Sequence, residues 1–180
     1  MLEKEIKLML TEEEYHTLER SLEFDGELDQ VNNYYYSAAC SERRISIRVR
    51  EVGGKNLLQI KLPIKNEGAV AYREELEKEL PFVPEVIGQQ TLSEICGVED
   101  EAHLLGALYT NRKLCHTFPG VEICLDRNRY LGIIDYELEA EYEGEYPKEA
   151  EELLCSLGIK TDVPAAGKYS RFLKALRPEE

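Results

Sequence analysis

Between Ile133 and Tyr142 the chain reads IIDYELEAEY. Because successive side chains of a strand point to opposite sides, such a run has two faces. Asp135, Glu137, Glu139 and Glu141 share one face, and Ile134, Tyr136, Leu138, Ala140 and Tyr142 share the other. Four acids along one strand face repel unless cations stand between them. A fold for this chain must supply apolar cover for one face and counter-charge for the other.

The same two-faced pattern recurs. From the N-terminus, Leu2, Ile6, Leu8 and Leu10 oppose Glu3, Glu5 and Lys7. In RRISIRVRE, near residues 43–51, Ile45, Ile47 and Val49 oppose Arg44, Ser46, Arg48 and Arg50, and in NLLQIKLP, near 56–63, Leu58, Ile60 and Leu62 oppose Gln59 and Lys61. The polar phase of VEICLDR (121–127) holds Glu122 and Asp126. Further strands are expected at VNNYYYS (31–37), at AVAYREELEKEL (69–80) and at about 107–117. Either Tyr35 or Tyr36 is a candidate to point inward instead of into the core, and Gly53-Gly54 is a hairpin signal.

Helices are expected to be few. Thr11 with Glu14 forms a capping box ahead of Tyr15, Leu18 and Leu22 at helical spacing, and PKEAEELLCSLG (147–158) is amphipathic. The segment from Pro81 to Leu108 has apolar residues at helical spacings (Leu92, Ile95; Leu104, Leu105, Leu108) and reads as two short helices. AAGKYSRFL fits either a last strand or a short helix. Seven or eight strands joined by turns, with few helices, predict an α+β fold: an antiparallel β-barrel, closed or nearly closed, with flanking helices. No linker, repeat or low-complexity tract divides the chain, so residues 1–180 are expected to form one domain.

A charged strand face is ordinarily the solvated side of an antiparallel sheet. Here acids gather on some strands and bases on others, which scattered solvated faces would not do. Closure into a barrel puts one phase inside. A lumen with carboxylates on some strands and Arg or Lys on others suits a polyanion bridged by metal, since hard oxygen ligands hold Mg²⁺ or Mn²⁺ and guanidinium forks hold phosphate oxygens.

These residues resemble the CYTH superfamily, also called triphosphate tunnel metalloenzymes, which includes thiamine triphosphatases, inorganic triphosphatases and class IV adenylate cyclases. The resemblance starts at the Glu-x-Glu-x-Lys strand of Glu3, Glu5 and Lys7. It continues through IRVR (Arg48, Arg50), LQIKLP (Lys61), YREEL (Glu74), TNRK (Arg112), ICLDR (Asp126), DYELEAE (Glu137, Glu139) and GKYSRFL (Lys168). Eight segments matched in order carry more weight than the first motif alone. The resemblance implies an eight-stranded closed antiparallel barrel forming a tunnel.

By the same resemblance, Glu3, Glu5, Glu137 and Glu139, with Asp126 and Glu74, would hold divalent metal. Lys7, Arg48, Arg50, Lys61, Arg112 and Lys168 would clamp a triphosphate, and Glu3, Glu5, Lys7, Glu137 and Glu139 form the implied catalytic set. The expected chemistry is metal-assisted hydrolysis, with in-line attack of water on the terminal phosphoryl of inorganic triphosphate or a small organic triphosphate. The absence of Trp removes the best stacking platform for an aromatic head group and favours the inorganic substrate. The alternatives are adenylate cyclase activity, told apart by cyclic AMP and pyrophosphate as products, and a module that binds triphosphate or nucleotide without turnover.

Composition bounds the setting. The net charge of −14 argues against nucleic acid and membrane surfaces as partners. Five unpatterned cysteines (Cys40, Cys96, Cys115, Cys124, Cys155), no long apolar window and an acidic N-terminus predict a cytoplasmic protein with free thiols, monomeric or homodimeric. His16, His103 and His116 are expected to be structural or surface residues.

Overall fold

A computed structural model describes residues 2–67, 70–145, 147–161 and 165–177, with the side chains of residues 2, 3, 65–67 and 70–73 outside that description. The described residues form β1 (Leu2–Leu10), α1 (Glu12–Ser21), β2 (Gly26–Tyr36), α2 (Ala38–Glu42), β3 (Ser46–Val52), β4 (Lys55–Glu67), β5 (Val70–Leu80) and the two-residue β6 (Val86–Ile87). After these come α3 (Gln89–Cys96), β7 (Ala102–Cys115), β8 (Val121–Tyr130), β9 (Ile133–Tyr142), α4 (Lys148–Ser156) and α5 (Lys168–Leu176).

All the strands join one antiparallel, strongly curled sheet in the order β2-β3-β4-β5-β1-β9-β8-β7-β6. β2 pairs with β3 along one edge and with β7 along the other, the latter from Gly26↔Leu114 to Tyr36↔His103. Few helices accompany it, as the sequence predicts.

The apolar phases face outward beneath helices. Ile6, Leu8, Ile123, Leu125, Leu138 and Ala140 pack with Tyr15 and Leu18 of α1 and with Ala150 and Leu154 of α4. Ile47, Val49, Leu58, Ile60 and Tyr35 pack with Cys40 of α2 and Leu92 of α3. The capping box at the start of α1 forms as expected, Glu14 N–H donating to Thr11 Oγ1 and Thr11 N–H to the Glu14 carboxylate. The Gly53-Gly54 hairpin also forms, with φ of 57° and 77° at the two glycines.

Three expectations change. Leu104, Leu105 and Leu108 lie on β7 rather than on a second helix, so Pro81–Leu108 supplies one helix, α3. The β2–β7 register shifts between Tyr34 and Tyr35, pairing them with Gly106 and Leu104, and this irregularity breaks the strand alternation there. Tyr35 lies in the outer core, while Tyr34 takes the inward phase beside Arg48. Arg44 sits in a turn with φ of 56° instead of on the charged face of β3. AAGKYSRFL, left open between strand and helix, contributes α5; Ala69, where one strand was expected to start, is outside the described residues.

At the end of the sheet where β2 starts and β7 stops, His116 bridges two carboxylates. Its Nδ1 lies 2.9 Å from Asp25 Oδ1, and its Nε2 lies 2.6 Å from Glu122 Oε2. Ionised carboxylates only accept, so both contacts become hydrogen bonds only when the ring is an imidazolium. The two hydrogen bonds raise the His116 pKa, and the bond from His116 lowers that of Asp25. A raised histidine pKa gives stability that is complete below the ordinary value of about 6.5 and is lost as pH rises through the folded value. The depressed Asp25 pKa gives stability that is lost only in acid, as pH falls through its folded value. The Tm advantage of the wild type over His116→Gln is therefore expected to be largest near pH 5 and to fade in mildly alkaline buffer; an advantage constant from pH 5 to 9 would assign His116 a role independent of its charge.

Candidate active site

The inward phases meet inside the curl. Register aligns Lys7 with Glu139, Cys124 with Glu139, Asp126 with Glu137, and Arg112 with Asp126. Glu137 and Asp126 are 0% exposed, and Glu5, Glu139, Arg112 and Lys168 are also buried. The acids are therefore not a solvated outer face. Ionised groups at this depth need partners, because desolvating an uncompensated charge costs several kcal/mol, roughly, per ion.

The partners come from two strands and a helix. Lys7 Nζ lies 2.7 Å from Glu139, 3.3 Å from Glu5 and 3.5 Å from Glu137. Arg112 forks onto Asp126 at 2.8 and 2.7 Å and also donates to Glu139. α5 delivers Lys168 to Asp126 at 2.8 Å, Glu139 at 2.9 Å and Glu137 at 3.2 Å. One helical turn on, Arg171 binds Asp135 at 3.0 Å and also Glu137.

Charge and burial compete at each carboxylate. Burial raises the pKa of Glu139 and Asp126, but Lys168 and Arg112, joined at Glu139 by Lys7, hold both below the usual carboxylate range. At Glu137 burial prevails over Lys168 and Lys7, with help from neighbouring Glu139, and its pKa is raised. Burial works against Lys7 and Lys168, yet the surrounding carboxylates raise both above the ordinary lysine value.

A second lobe lies on β3, β4 and β5. Lys61 Nζ is 3.0 Å from Glu75, Arg48 Nη2 is 3.8 Å from the same carboxylate, and Gln59 links Arg48 to Glu75 and Glu77. Arg50 differs: its Nε donates to Asn32 Oδ1 at 3.2 Å, and among the described residues no carboxylate lies within ion-pair distance of it. Burial and the like charges of Arg48 and Arg112 push its pKa down to about 10.

The structure thus brings together Glu5, Lys7, Arg48, Arg50, Lys61, Arg112, Asp126, Glu137, Glu139 and Lys168 on the inner face. Glu74 is not among them: it is exposed, in the phase of Leu76, and Glu75 takes the inward position opposite Lys61. Glu3 sits on β1, but its side chain lies outside the described residues. Sequence reasoning also missed Glu141 and Arg171 as site residues. Glu141 was legible from its shared phase with Glu137 and Glu139, and carboxylate oxygens of Glu5, Glu139 and Glu141 lie within 4.8 Å of one another. Oxygen donors gathered this closely fit a hard divalent cation.

A family model described as the CYTH domain matches residues 1–163. The Bacillus subtilis (strain 168) protein named "Putative triphosphatase YjbK" is 31% identical over 148 residues, covering 78% of this chain and 77% of that protein. Among solved structures, HpAC1 from Hippeastrum superposes with a TM-score of 0.75 at 22% identity, over 96% of this chain and 95% of that one. PH1819 from Pyrococcus horikoshii OT3 gives 0.67 at 20% identity, over 97% and 99%. These two likenesses concern the fold.

Lys168 touches three buried carboxylates at once, so Lys168→Met should leave them under-compensated and lower the stability of the metal-free protein by about 3–5 kcal/mol. Urea unfolding in EDTA reads this directly, and a loss below about 1 kcal/mol, the level of a surface pair, would show that the cluster does not depend on α5.

Proposed function

We propose that this chain, which belongs to the CYTH domain family, is a divalent-metal-dependent triphosphatase whose curled sheet works as a closed eight-stranded tunnel around inorganic triphosphate or a small organic triphosphate. The observation that carries the reading is the pairing, on one inner face, of the Glu5–Glu139–Glu141 oxygen cluster with half-buried guanidiniums that the protein's own acids do not fully match, Arg50 above all. A cation crowded by like charges favours an anion beside it. The relative YjbK carries a triphosphatase name, and the structure of HpAC1 is described as revealing a dominant triphosphatase activity. Those descriptions belong to those proteins and support the reading by relationship.

In this reading Glu5, Glu139 and Glu141 hold Mg²⁺ or Mn²⁺, with Asp126 and Glu137 as further oxygen donors nearby, and Glu3, two residues before Glu5 on β1, belongs to the same proposed set. A divalent ion there would neutralise phosphoryl charge and favour deprotonation of the attacking water. The chain's own residues bind and orient. Arg48, Arg50 and Lys61 take phosphate oxygens on one side, and guanidinium forks fix the angle of the phosphate chain as well as its position. Lys7, Arg112 and Lys168, each already held by carboxylates, place positive charge along the other side, where charge develops as the terminal phosphoryl departs. No covalent nucleophile is required. Burial raises the Cys124 thiol's pKa, so this inward cysteine stays protonated and unreactive.

Residues 1–180 act as one domain in this reading, since every strand among the described residues belongs to one sheet. Among the described residues no helix is long and apolar enough to cross a membrane. The five cysteines are free, which accords with a reducing cytoplasm, and the charge of −14 disfavours nucleic acid as a partner.

The test is phosphate release from inorganic triphosphate, thiamine triphosphate and ATP with Mg²⁺, Mn²⁺ or EDTA, together with a cyclic AMP assay. Orthophosphate release that EDTA abolishes is expected, and cyclic AMP with pyrophosphate would replace the triphosphatase reading by a cyclase. Glu5→Gln should lower metal-dependent turnover by at least a hundredfold while leaving Tm within a few degrees, because Glu5 contacts Lys7 only at 3.3 Å and lies at the edge of the ion-pair cluster. Wild-type turnover by that variant would remove Glu5 from the metal-binding set.

A further inference from the structure

On β2 three side chains in one strand phase, Gln30, Asn32 and Tyr34, are 3%, 0% and 2% exposed. Their polar atoms Gln30 Nε2, Asn32 Nδ2 and Tyr34 Oη have no hydrogen-bond partner. A buried donor without a partner costs about 1–3 kcal/mol, and native structures hold few of them. Three in a row on one strand are not scattered defects.

Their surroundings define what they await. Register sets Asn32 beside Arg50 and Tyr34 beside Arg48 on β3, and Gln30 beside Thr110 on β7. The amide of Asn32 has its orientation fixed, because Oδ1 accepts from Arg50 Nε, which leaves Nδ2 as the open donor. Across the other wall, Thr110 Oγ1 donates to Asn128 Oδ1 at 2.7 Å, and Asn128 Nδ2 donates to Asp135 at 2.9 Å, so those polar groups are already satisfied. Burial raises the Tyr34 pKa even with Arg48, Lys168 and Arg50 acting against it, and its hydroxyl keeps its proton.

The row is offset along the sheet from the Glu5, Glu139 and Glu141 oxygens, with Asp135 the carboxylate in register with it. Gln30 aligns through Thr110 and Asn128 with Asp135, whereas Glu139 aligns through Cys124 and Leu114 with Gly26, four residues back along β2. Beyond Gln30 and Asn32 the lumen ends in apolar packing of Tyr34 with Leu108, Tyr130 and Phe172 of α5. A Cβ on Gly106 would stand 3.2 Å from Phe172 Cζ, a measure of how tight that end is.

We infer that Gln30, Asn32 and Tyr34, flanked by Arg48 and Arg50, form a phosphoryl-binding subsite for the end of the triphosphate that is not cleaved, a free phosphate in inorganic triphosphate but the substituted end in an ester, and so select inorganic triphosphate over triphosphate esters. This rests on the triphosphatase reading and specifies its substrate class. Two amide NH₂ groups and a hydroxyl that keeps its proton can all donate to a group that only accepts, and the oxygens of a terminal phosphate are such a group. A nucleobase or aminopyrimidine brings donors of its own, and an ester substituent would run into the apolar end at Phe172.

The experiment compares steady-state kinetics on inorganic triphosphate and ATP for the wild type, Gln30→Met and Tyr34→Phe, along with the Tm of each in EDTA. Each substitution deletes an open donor with little change in shape. Hydrogen bonds to charged groups are strong enough that KM for inorganic triphosphate should rise about tenfold or more, with the larger part of the loss in KM rather than kcat. The preference for inorganic triphosphate over ATP should shrink, and the Tm of the ligand-free variants should stay level or rise, since a buried unpaired group is removed. A KM within twofold of wild type in both variants, equal losses on the two substrates, or a Tm drop of several degrees in both would overturn the subsite. If wild-type protein releases phosphate from neither compound, the triphosphatase reading fails on its own. The subsite is then decided by calorimetric titration with inorganic triphosphate, supported by tenfold weaker binding to Gln30→Met and overturned by equal binding.

Discussion

Everything about this fold turns on carrying ionised carboxylates into the interior of a curled sheet. Glu137 and Asp126 are wholly buried with Glu139 beside them, and a group of that charge is tolerated there only when cations and hydrogen bonds replace the water it has lost. The chain meets this need by drawing cations from elements far apart in sequence. Lys7 comes from the first strand, Arg112 from the seventh, and Lys168 and Arg171 from the last helix. The ion pairs thereby tie α5 to the sheet. Replacing them with apolar residues of equal volume could be as stable or more so, so their presence points to what the interior binds.

The two lobes of the interior differ in how complete their neutralisation is. Among the described residues each carboxylate around Glu139 has a cation, and the surrounding acids raise the pKa values of Lys7 and Lys168. Around Arg50 the balance tips toward positive charge, with a neutral amide oxygen as its acceptor and Arg48 close by. In the proposed reading an incoming polyanion would therefore gain most at the second lobe. At the first, in the same reading, Glu5, Glu139 and Glu141 would hold the metal, and Lys7, Arg112 and Lys168 would face the phosphates. Binding of that kind would use a preorganised wall, which limits the reorganisation needed when charge moves in the transition state.

Much of this was legible in the sequence because strand geometry has a period of two. The phases of IIDYELEAEY and IRVR assign inner and outer residues correctly, and the apolar partners identify which face meets the helices. In YREELEKEL the same logic favours Glu75, since Glu74 shares the phase of Leu76 and Leu80; following the motif rather than the phase led to the wrong acid. What periodicity does not encode is register and docking. The β2–β7 irregularity at Tyr34/Tyr35 interrupts alternation in β7, so Leu104, Leu105 and Leu108 imitate helical spacing. Arg171 escaped for a related reason: only once AAGKYSRFL is known to contribute a helix do Lys168 and Arg171, three residues apart, fall on one face.

The open donors of β2 show the reverse side of the same economy. The lobe rich in carboxylates could be satisfied from within, because acids and bases can face each other across a strand pair. A subsite for a phosphate terminus cannot be satisfied in that way without blocking itself, since any carboxylate placed to accept from Gln30, Asn32 and Tyr34 would repel the ligand. Leaving those donors unpaired costs stability in the empty protein, and that cost is carried by the outer cores around Leu18 and Leu58, which lie under their helices and away from the lumen. Separating stabilising apolar faces from an inner face selected for binding is what alternation along a strand permits. It explains why this chain places its unsatisfied groups on a wall whose opposite side is fully packed, at Tyr35 and Val49.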